Sequence, residues 1–314
     1  MKILVIGANG YIGNVIAERI LSEGWSVIGS TRSEAASVRL REQGIEPYLG
    51  DLEKPETILP IIPQIDAVVY SAYGYNAVED AEREISSGKS HITWLLEAMY
   101  ATDKTFVLTS GSGVYPDTGD IICTEETPMP PSKSSITIAR RNLEIEVQAA
   151  AKHGVRTIVL RPPTVYGRGG SLLVPRFLLD HARSQGESIY IEGTENKKWS
   201  TVHVDDLADL FILALHKARA GSFYNTASES GITTRDIASS ISRAADLGGK
   251  VKAISLEQMC SLFGNWGEWW GINNQLSGEK AMMELGWKPH QVSMLEDIEH
   301  GSYKGQLEAK PIRN

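Results

Sequence analysis

The chain has 314 residues with 39 acidic and 31 basic side chains, which gives a formal net charge of −8. This acidic balance argues against nucleic acid as the main ligand, because proteins bind phosphate backbones through a positively charged face. We find no apolar run of about 18 residues that would span a bilayer, no signal peptide, and only two cysteines, too few for a disulfide framework. We therefore expect a cytoplasmic α/β protein with no membrane or nucleic-acid partner.

Short β-rich runs alternate with longer helical patterns through the first half of the chain. Apolar residues three or four positions apart, as between residues 12 and 20, predict helices between these runs. Strands rich in Val and Ile without strict polar alternation are typical of a parallel sheet that is covered on both faces. The predicted strands are 3–6, 26–30, 46–49, 67–71, 105–109 and 157–160. This order predicts a doubly wound parallel sheet of the Rossmann type.

A different organisation follows residue 160, where prolines and glycines are frequent as far as Pro175. Helical patterns then appear at 175–184, 205–217, 233–245 and 279–285. We predict that residues 1–164 form the nucleotide-binding domain and that residues 197–227 return to it. Residues 165–314 are expected to form a smaller, mostly helical substrate-binding cap that ends in a polar tail.

The strongest motif is a glycine-rich turn at residues 7–13, directly after the first strand and directly before a helix. Glycines allow a tight turn and a close approach of the backbone to a pyrophosphate, which the helix N-terminus then stabilises. We therefore predict a bound dinucleotide. Its expected contacts in this turn are Gly7, Asn9, Gly10, Tyr11, Ile12 and Gly13.

The end of the second strand indicates which dinucleotide binds. A carboxylate there would accept hydrogen bonds from the adenosine ribose. The first acidic residue after this strand is Glu34, which comes four residues beyond the strand's end. Arg32 instead offers a planar donor fork for a 2′-phosphate, with Thr31 beside it. We expect NADP(H) rather than NAD(H), and the alternative is that Arg32 is a solvated surface residue. Asp51 and Leu52 are expected at the adenine, although Asp51 suits the start of a helix as well.

These motifs resemble the extended short-chain dehydrogenase/reductase family, also called the epimerase/dehydratase superfamily. The matching stretches extend over roughly residues 1–300 and are 7–13, 51–52, 66–72, 109–115, 161–167, 202–208 and 277–289. The resemblance implies a homodimer, since relatives are commonly dimers. It also implies further cofactor contacts at Ser71, Ala72, Tyr73, Thr109, Arg140, Pro162 and Thr164.

The usual catalytic pair of that family is absent. Relatives carry Tyr-x-x-x-Lys on one helical face, where Tyr is the acid/base and Lys lowers its pKa and binds the nicotinamide ribose. When Glu144 is aligned with the family's glutamate, Ile136 takes the Tyr position and Arg140 takes the Lys position. Isoleucine has no titratable proton, so the usual mechanism cannot operate from residue 136. Arg140 still suits ribose hydroxyls, but a guanidinium is a poor proton shuttle.

The family's third catalytic residue, a Ser or Thr, falls at Gly111, between Ser110 and Ser112. Either serine is a candidate to replace it. Tyr115 is our first choice of proton donor, because it shares the loop with both serines. Packing is the alternative role for this tyrosine.

Substrate contacts are expected near strand ends and in the cap, at Tyr75, Tyr166, Arg168, Trp199, His203 and Trp266. Sugar-nucleotide relatives usually carry an arginine where this chain has Trp199 and an asparagine where it has Thr164, so a nucleotide sugar is disfavoured. Trp266 belongs to a tryptophan-rich stretch that suits an apolar or ring-containing ligand, or else a hydrophobic cluster or dimer contact. His203 has the alternative role of anchoring the following helix. The histidines lack paired ligand spacing, so we expect no metal.

The leading hypothesis is an NADP(H)-dependent oxidoreductase that acts on a small carbonyl or hydroxyl compound through a non-standard proton donor. One alternative is an isomerase or lyase of the epimerase/dehydratase type, which would reoxidise its cofactor in place. Another is an NADP-sensing regulator without catalysis. Net consumption of NADPH distinguishes the first hypothesis from the other two.

Overall fold

The computed structural model describes residues 1–72, 92–171, 174–264 and 266–304, without the side chain of Trp266. The predicted contacts at Tyr73, Tyr75 and the Trp266 side chain lie outside this description, as does most of the predicted tail. The α-helices of the described part are α1 (Tyr11–Ser22), α2 (Glu34–Glu42), α3 (Thr93–Glu97), α4 (Ser135–Ala150), α5 (Arg176–Gln185), α6 (Val204–Lys217), α7 (Thr234–Ala244), α8 (Leu256–Phe263), α9 (Trp266–Trp269), α10 (Glu279–Leu285) and α11 (Met294–His300). The β-strands are β1 (Lys2–Ile6), β2 (Ser26–Thr31), β3 (Glu46–Leu49), β4 (Ala67–Tyr70), β5 (Thr105–Thr109), β6 (Arg156–Arg161), β7 (Thr164–Gly167), β8 (Gly170–Ser171), β9 (Ser188–Ile191), β10 (Lys198–His203), β11 (Ser222–Asn225), β12 (Glu229–Thr233) and β13 (Val251–Ile254).

The main sheet has seven parallel strands in the order β11-β6-β5-β4-β1-β2-β3. In its centre, Ile6 of β1 lies opposite Ser30 of β2 and Tyr70 of β4. The connections reverse direction beside β1, and doubly wound sheets bind their ligands at this switch point, at the carboxyl ends of the strands. The predicted parallel sheet is confirmed, and each of the six predicted strands lies within one residue of its predicted limits.

Both faces of this sheet are buried, because successive side chains of a strand point to opposite sides. Ile3 and Val5 of β1 pack with α1 and α6 on one face. Leu4 and Ile6 pack with α3 and α4 on the other. Burial on both faces is the physical reason for the continuous Val and Ile runs of the sequence.

The other strands form two small sheets, β12-β10-β7-β8 and β13-β9. They pack with α5, α7, α8 and α11 around a cluster that includes Tyr166, Trp199 and Trp270. None of these cap strands was predicted from the sequence, because they are short and most of them contain a glycine or a charged residue. Between the cap segments, α6 packs against α1 and β11 pairs with β6 of the main sheet. Among the helices of the described ranges, none is both long enough and apolar enough to cross a membrane.

Candidate cofactor and active site

The glycine-rich turn between β1 and α1 leaves no room for a side chain at two of its glycines. Gly7 has φ +93°, and a Cβ there would lie 2.5 Å from the backbone oxygen of Ser71. A Cβ on Gly13 would lie 2.1 Å from the backbone oxygen of Gly7. The turn is therefore closed against the end of β4.

Helix α1 begins at this turn without a capping side chain. Its N-cap residue is Gly10, and neither a side-chain cap nor an acidic residue is present in the first turn of this described helix. The first N–H groups of a helix lack partners within the helix, and the helix dipole gives this end a partial positive charge. A pyrophosphate group fits these donors. The turn thus has the features of a dinucleotide cradle.

Arg32 follows β2 directly and is exposed. Within the described ranges, its guanidinium forms no hydrogen bond or ion pair. The next acid, Glu34, pairs with Arg41 at 2.9 Å instead. Thr31 is buried beside it, and Ser33 caps α2 by accepting a hydrogen bond from the N–H of Ala36. The fork of Arg32 therefore remains available to an anion at this edge of the sheet.

The predicted adenine contacts follow β3. The Asp51 carboxylate accepts a hydrogen bond from the N–H of Glu53 at 3.1 Å and so supports a local turn, whereas the 3₁₀-helix that follows begins after Lys54 without a side-chain cap. Leu52 packs against the core below β4. Ser71 and Ala72 directly follow β4 and are half-buried. These residues lie at the carboxyl edge of the sheet.

Three further predicted contacts also lie beside this edge. Thr109 ends β5, and its hydroxyl is buried without a hydrogen-bond partner among the described residues. Pro162 follows β6 and accepts a hydrogen bond from the N–H of Ser112 at 2.9 Å. Thr164 begins β7 and is half-buried.

Ile136 and Arg140 lie one turn apart on α4 and face the loop after β5. A Cβ on Gly113 of that loop would lie 3.2 Å from Cδ of Arg140 and 3.9 Å from Cγ2 of Ile136. Nη1 of Arg140 donates to the backbone oxygen of Ser110 at 2.9 Å. An apolar side chain and a guanidinium thus occupy the helical face where the resemblance places the family's Tyr and Lys.

The two loop serines have different surroundings. The Ser110 hydroxyl donates to Oε1 of buried Glu144 at 2.6 Å, so this hydroxyl is committed to the protein interior. Within the described part of the chain, the Ser112 hydroxyl forms no hydrogen bond. The backbone oxygen of Ser112 accepts a hydrogen bond from Asn274 at 3.4 Å. Of the two predicted serines, the geometry therefore leaves Ser112 as the candidate that can contact a substrate.

Tyr115 does not have the surroundings expected of a proton donor. It is 1% exposed, and its hydroxyl contacts Nη1 of Arg161 at 2.9 Å and Oδ1 of Asn225 at 3.1 Å. Burial raises the pKa of this phenol, although the nearby Arg161 acts in the opposite direction. The packing alternative considered for Tyr115 matches this geometry, and our first choice of proton donor does not.

A buried ion pair that the sequence analysis did not predict lies beneath the loop. Nη2 of Arg161 lies 2.7 Å from Oε2 of Glu144, and both side chains are almost fully buried. Arg161 ends β6 directly after the apolar residues 158–160, and Glu144 lies one turn beyond Arg140 on the same side of α4. Two signals were available in the sequence. One is a charged residue at the end of a buried strand, and the other is a carboxylate four residues after Arg140 on the same helix. The pair connects α4, β6 and the Ser110 loop.

Three predicted substrate residues are engaged with structural partners. Trp199 is 3% exposed, and its indole N–H donates to the backbone oxygen of Ile272 at 2.9 Å. The Tyr166 hydroxyl donates to the backbone oxygen of Val292 at 2.6 Å. Arg168 forms salt bridges with Glu18 and Asp205. None of these three described side chains points a free polar group at the carboxyl edge of the sheet, so the geometry does not support their predicted substrate roles.

His203 has the anchoring role that was the alternative to substrate contact. It is the N-cap residue of α6, and its Nδ1 accepts a hydrogen bond from the N–H of Asp205 at 3.2 Å. Burial lowers the pKa of the imidazole, which favours the neutral ring that can accept this bond. Gly167 must be glycine beside it, because a Cβ there would lie 2.3 Å from Nε2 of His203.

The cap contains a small apolar cavity of about 20 Å³. No charged residue of the described chain lines it. Its lining residues are Val174, Leu178, Ile189, Tyr190, Ile191, Trp199, Thr234, Ile237, Met259 and Trp270. Such a lining favours apolar groups over phosphates.

Three side chains of types that can bind a metal ion lie close together in the structure: Asp206, Asp209 and His290. Their carboxylates already have other partners. Asp206 accepts hydrogen bonds from the N–H groups of His290 and Gln291, and Asp209 pairs with Arg19 at 2.5 Å. These contacts attach the segment before α11 to α6.

The matched family model is that of the NAD dependent epimerase/dehydratase family, over residues 3–227. The chain belongs to this family. It is thereby a member of an enzyme family that uses NAD(P), as the sequence analysis predicted. The finding does not distinguish NADP from NAD.

Relatives cover nearly the whole chain. An uncharacterised protein of Schizosaccharomyces pombe is 33% identical over 306 residues, which are 96% of this chain and 100% of the relative. A 2-alkyl-3-oxoalkanoate reductase of Stenotrophomonas maltophilia is 26% identical over 82% of this chain and 79% of its own. The UDP-glucose 4-epimerase of Thermus thermophilus, solved in complex with NAD, has a TM-score of 0.78 at 23% identity, covering 98% of this chain and 100% of its own. This last similarity shows the shared fold.

Proposed function

We propose that the protein is an NADP(H)-dependent oxidoreductase that interconverts a small carbonyl compound and its alcohol. The observation that carries the cofactor assignment is Arg32, which is exposed after β2 and has no carboxylate partner among the described residues. A free guanidinium at this edge of the sheet suits a 2′-phosphate. The reductase name of the Stenotrophomonas relative supports the reaction class.

The proposed cofactor contacts follow the order of the strands. The turn at residues 7–13 would hold the pyrophosphate through backbone N–H groups, and Asp51 and Leu52 would contact the adenine. Residues after β4, β5 and β6 would surround the nicotinamide half. NADPH, when bound, supplies a hydride. Arg140 would bind ribose hydroxyls in place of the family's lysine.

Ser112 is the proposed hydrogen-bond donor to the substrate's carbonyl oxygen. Negative charge develops on this oxygen when a carbonyl group is reduced, and a positioned Ser112 donor would stabilise it. The proton that completes the alcohol would come from a water molecule bonded to the Ser112 hydroxyl, and the hydroxide that remains would be neutralised by bulk solvent. Tyr115 and Ser110 would act indirectly, because their hydroxyls bind Arg161 and Glu144 below the loop.

The substrate we favour is apolar beyond its carbonyl group. Trp199 stands where a nucleotide sugar would need a cation, and it packs into an uncharged cap cluster. The lining of the cap cavity has no group that would neutralise a phosphate. UDP-glucose should therefore neither react nor inhibit the oxidation of NADPH by an apolar aldehyde such as decanal.

The cofactor assignment is tested by the NADPH-to-NADH affinity ratio. Arg32→Ala is expected to weaken NADPH binding about tenfold or more, since a charge-assisted hydrogen bond contributes about 1.5–3 kcal/mol, and to leave NADH binding unchanged. Arg39→Ala is the matched control, because Arg39 is exposed on the neighbouring helix α2. An unchanged ratio in Arg32→Ala would show that the assignment is wrong.

A second candidate function is dinucleotide-dependent regulation without turnover. It is favoured by Ile136 at the acid/base position and by the engaged hydroxyl of Tyr115. Under this candidate, NADPH binds but is not oxidised with any aldehyde or ketone. Oxidation that depends on the carbonyl compound excludes it.

A further inference from the structure

The loop between β7 and β8 lies directly against the glycine-rich turn. We name residues 167–170 the cap loop. Tyr11, the first residue of α1, donates its hydroxyl hydrogen bond to the backbone oxygen of Gly167 at 2.8 Å. The Tyr11 ring also occupies the space beside Gly170, because a Cβ on Gly170 would lie 2.5 Å from Cε2 of the ring. One residue of the proposed pyrophosphate cradle thus depends on the cap loop for both its polar and its packing contacts.

The C-terminal segment holds the other side of the cap loop. Tyr303 is fully buried, and its hydroxyl accepts from the N–H of Gly167 at 2.8 Å and donates to the backbone oxygen of Gly170. Ser302 accepts from the N–H of Gly169 at 2.8 Å. We name Ser302 and Tyr303 the C-terminal clamp. Its two hydroxyls satisfy three backbone groups of a four-residue loop.

The clamp is itself fixed in place. The Asp297 carboxylate accepts hydrogen bonds from the N–H and the hydroxyl of Ser302, at 2.7 and 2.8 Å. Arg183 of α5 donates to the backbone oxygen of Tyr303 at 2.8 Å. These hydrogen bonds restrict the conformational freedom of the clamp, and the clamp in turn restricts that of the cap loop.

The cap loop has an unusual backbone that needs such support. Gly167, Arg168 and Gly169 have φ values of +112°, +53° and +69° in succession. A non-glycine residue in the left-handed region is held there at some cost by its surroundings. The salt bridges of Arg168 to Glu18 and Asp205 join α1 and α6 at this point.

We propose that Ser302 and Tyr303 are positioning residues for the dinucleotide. By fixing the cap loop they fix Tyr11, and with it the first turn of α1, whose N–H groups must point at the pyrophosphate. A cradle that is ordered before binding loses less conformational entropy when the ligand arrives, so affinity rises. The inference rests on the proposed binding of NADP(H) at the glycine-rich turn. It extends the site to residues about 290 positions away in the chain.

The test compares NADPH affinity in two tyrosine variants by titration of nicotinamide fluorescence. Tyr303→Phe keeps the buried ring and removes the hydroxyl shared by Gly167 and Gly170. We expect about five- to tenfold weaker binding, the effect of one hydrogen bond of ordinary strength. Tyr224→Phe is the control, because Tyr224 lies on the edge strand β11 and its hydroxyl donates to Glu284 at 2.9 Å. This variant should bind NADPH as the wild type does. Ser302→Ala repeats the test without altering an aromatic residue.

A double-mutant cycle with Tyr11→Phe shows whether the effect passes through Tyr11. We expect the double variant Tyr11→Phe/Tyr303→Phe to bind NADPH only slightly less tightly than the single variant with the lower affinity. The reason is that both changes break the same connection between the C-terminal clamp and α1. In any turnover assay, the KM for NADPH should rise while kcat at saturating NADPH stays unchanged. Equal affinity of wild type, Tyr303→Phe and Ser302→Ala overturns the inference alone, and so do fully multiplicative losses in the cycle. A wild-type protein that binds no NADPH overturns the proposed function, and this inference with it.

Discussion

A Cβ on Gly111 would lie 2.8 Å from Nη1 of Arg140, so the guanidinium occupies the space that a side chain at residue 111 would need. Nη1 uses the free space to donate to the backbone oxygen of Ser110 at 2.9 Å. The resemblance places the family's Ser or Thr at residue 111 and its Lys at residue 140. The two departures are therefore physically coupled, since the larger cation occupies the volume that a hydroxymethyl group would need.

This coupling predicts how the two positions respond to substitution. Gly111→Ser should lower the free energy of unfolding by about 1 kcal/mol, because the guanidinium must move and give up its hydrogen bond to Ser110. In an Arg140→Lys background the same change should cost less, because the narrower side chain leaves room. Urea denaturation of the wild type, both single variants and the double variant measures the interaction. Strictly additive losses would contradict the coupling.

Ser112 and Tyr115 should differ in what their substitution impairs. Ser112→Ala is expected to lower kcat for aldehyde reduction by about ten- to a hundredfold, the range typical of a lost acid or donor group. Its stability should change by less than about 0.5 kcal/mol. Tyr115→Phe should instead lose about 1–3 kcal/mol of stability, because it removes the hydroxyl that accepts a hydrogen bond from Nη1 of buried Arg161 and leaves this donor unsatisfied. Full activity of Ser112→Ala would assign the donor role to another group.

The buried Arg161–Glu144 pair should be among the most sensitive contacts of the sheet. Arg161→Met leaves the Glu144 carboxylate buried without its cation, which typically costs about 3–5 kcal/mol. Adding Glu144→Leu should restore much of that loss, since two apolar residues need no partners. The exposed pair of Arg41 and Glu34 is the control, and Arg41→Met should change stability by less than about 1 kcal/mol. Equal losses at the two pairs would contradict the role of burial.

The buried His203 side chain should make the free energy of unfolding depend on pH. Burial lowers the pKa of the folded imidazole below that of the unfolded chain, about 6.5. Below that pH the unfolded state binds a proton that the folded state does not, so the free energy of unfolding falls as the pH decreases. His203→Asn keeps an N-cap acceptor and removes the titration. Its stability should decline less steeply than that of the wild type just below pH 6.5, and identical slopes would be evidence against this role.

Much of the fold could be predicted from the sequence, because strand patterns such as residues 3–6 and 105–109 reflect burial on both faces of one sheet. The glycine turn was also predictable, since its spacing serves local backbone geometry. The cap strands were not, because β12 and β13 carry polar and charged residues and depend on neighbours distant in the chain. For the same reason the sequence could not show that Tyr115 points inward to Arg161, or that Tyr303 returns to the cap loop.

The most direct test of the account is the fate of hydride from NADPH that is deuterated at its transferable position. With decanal as substrate, we predict one deuterium at the carbinol carbon of each alcohol molecule formed, and one NADP⁺ per alcohol. The same experiment with Ser112→Ala should show the same labelling at a lower rate. NADPH that binds but remains unoxidised with every carbonyl compound, or alcohol formed without deuterium, would contradict the proposal.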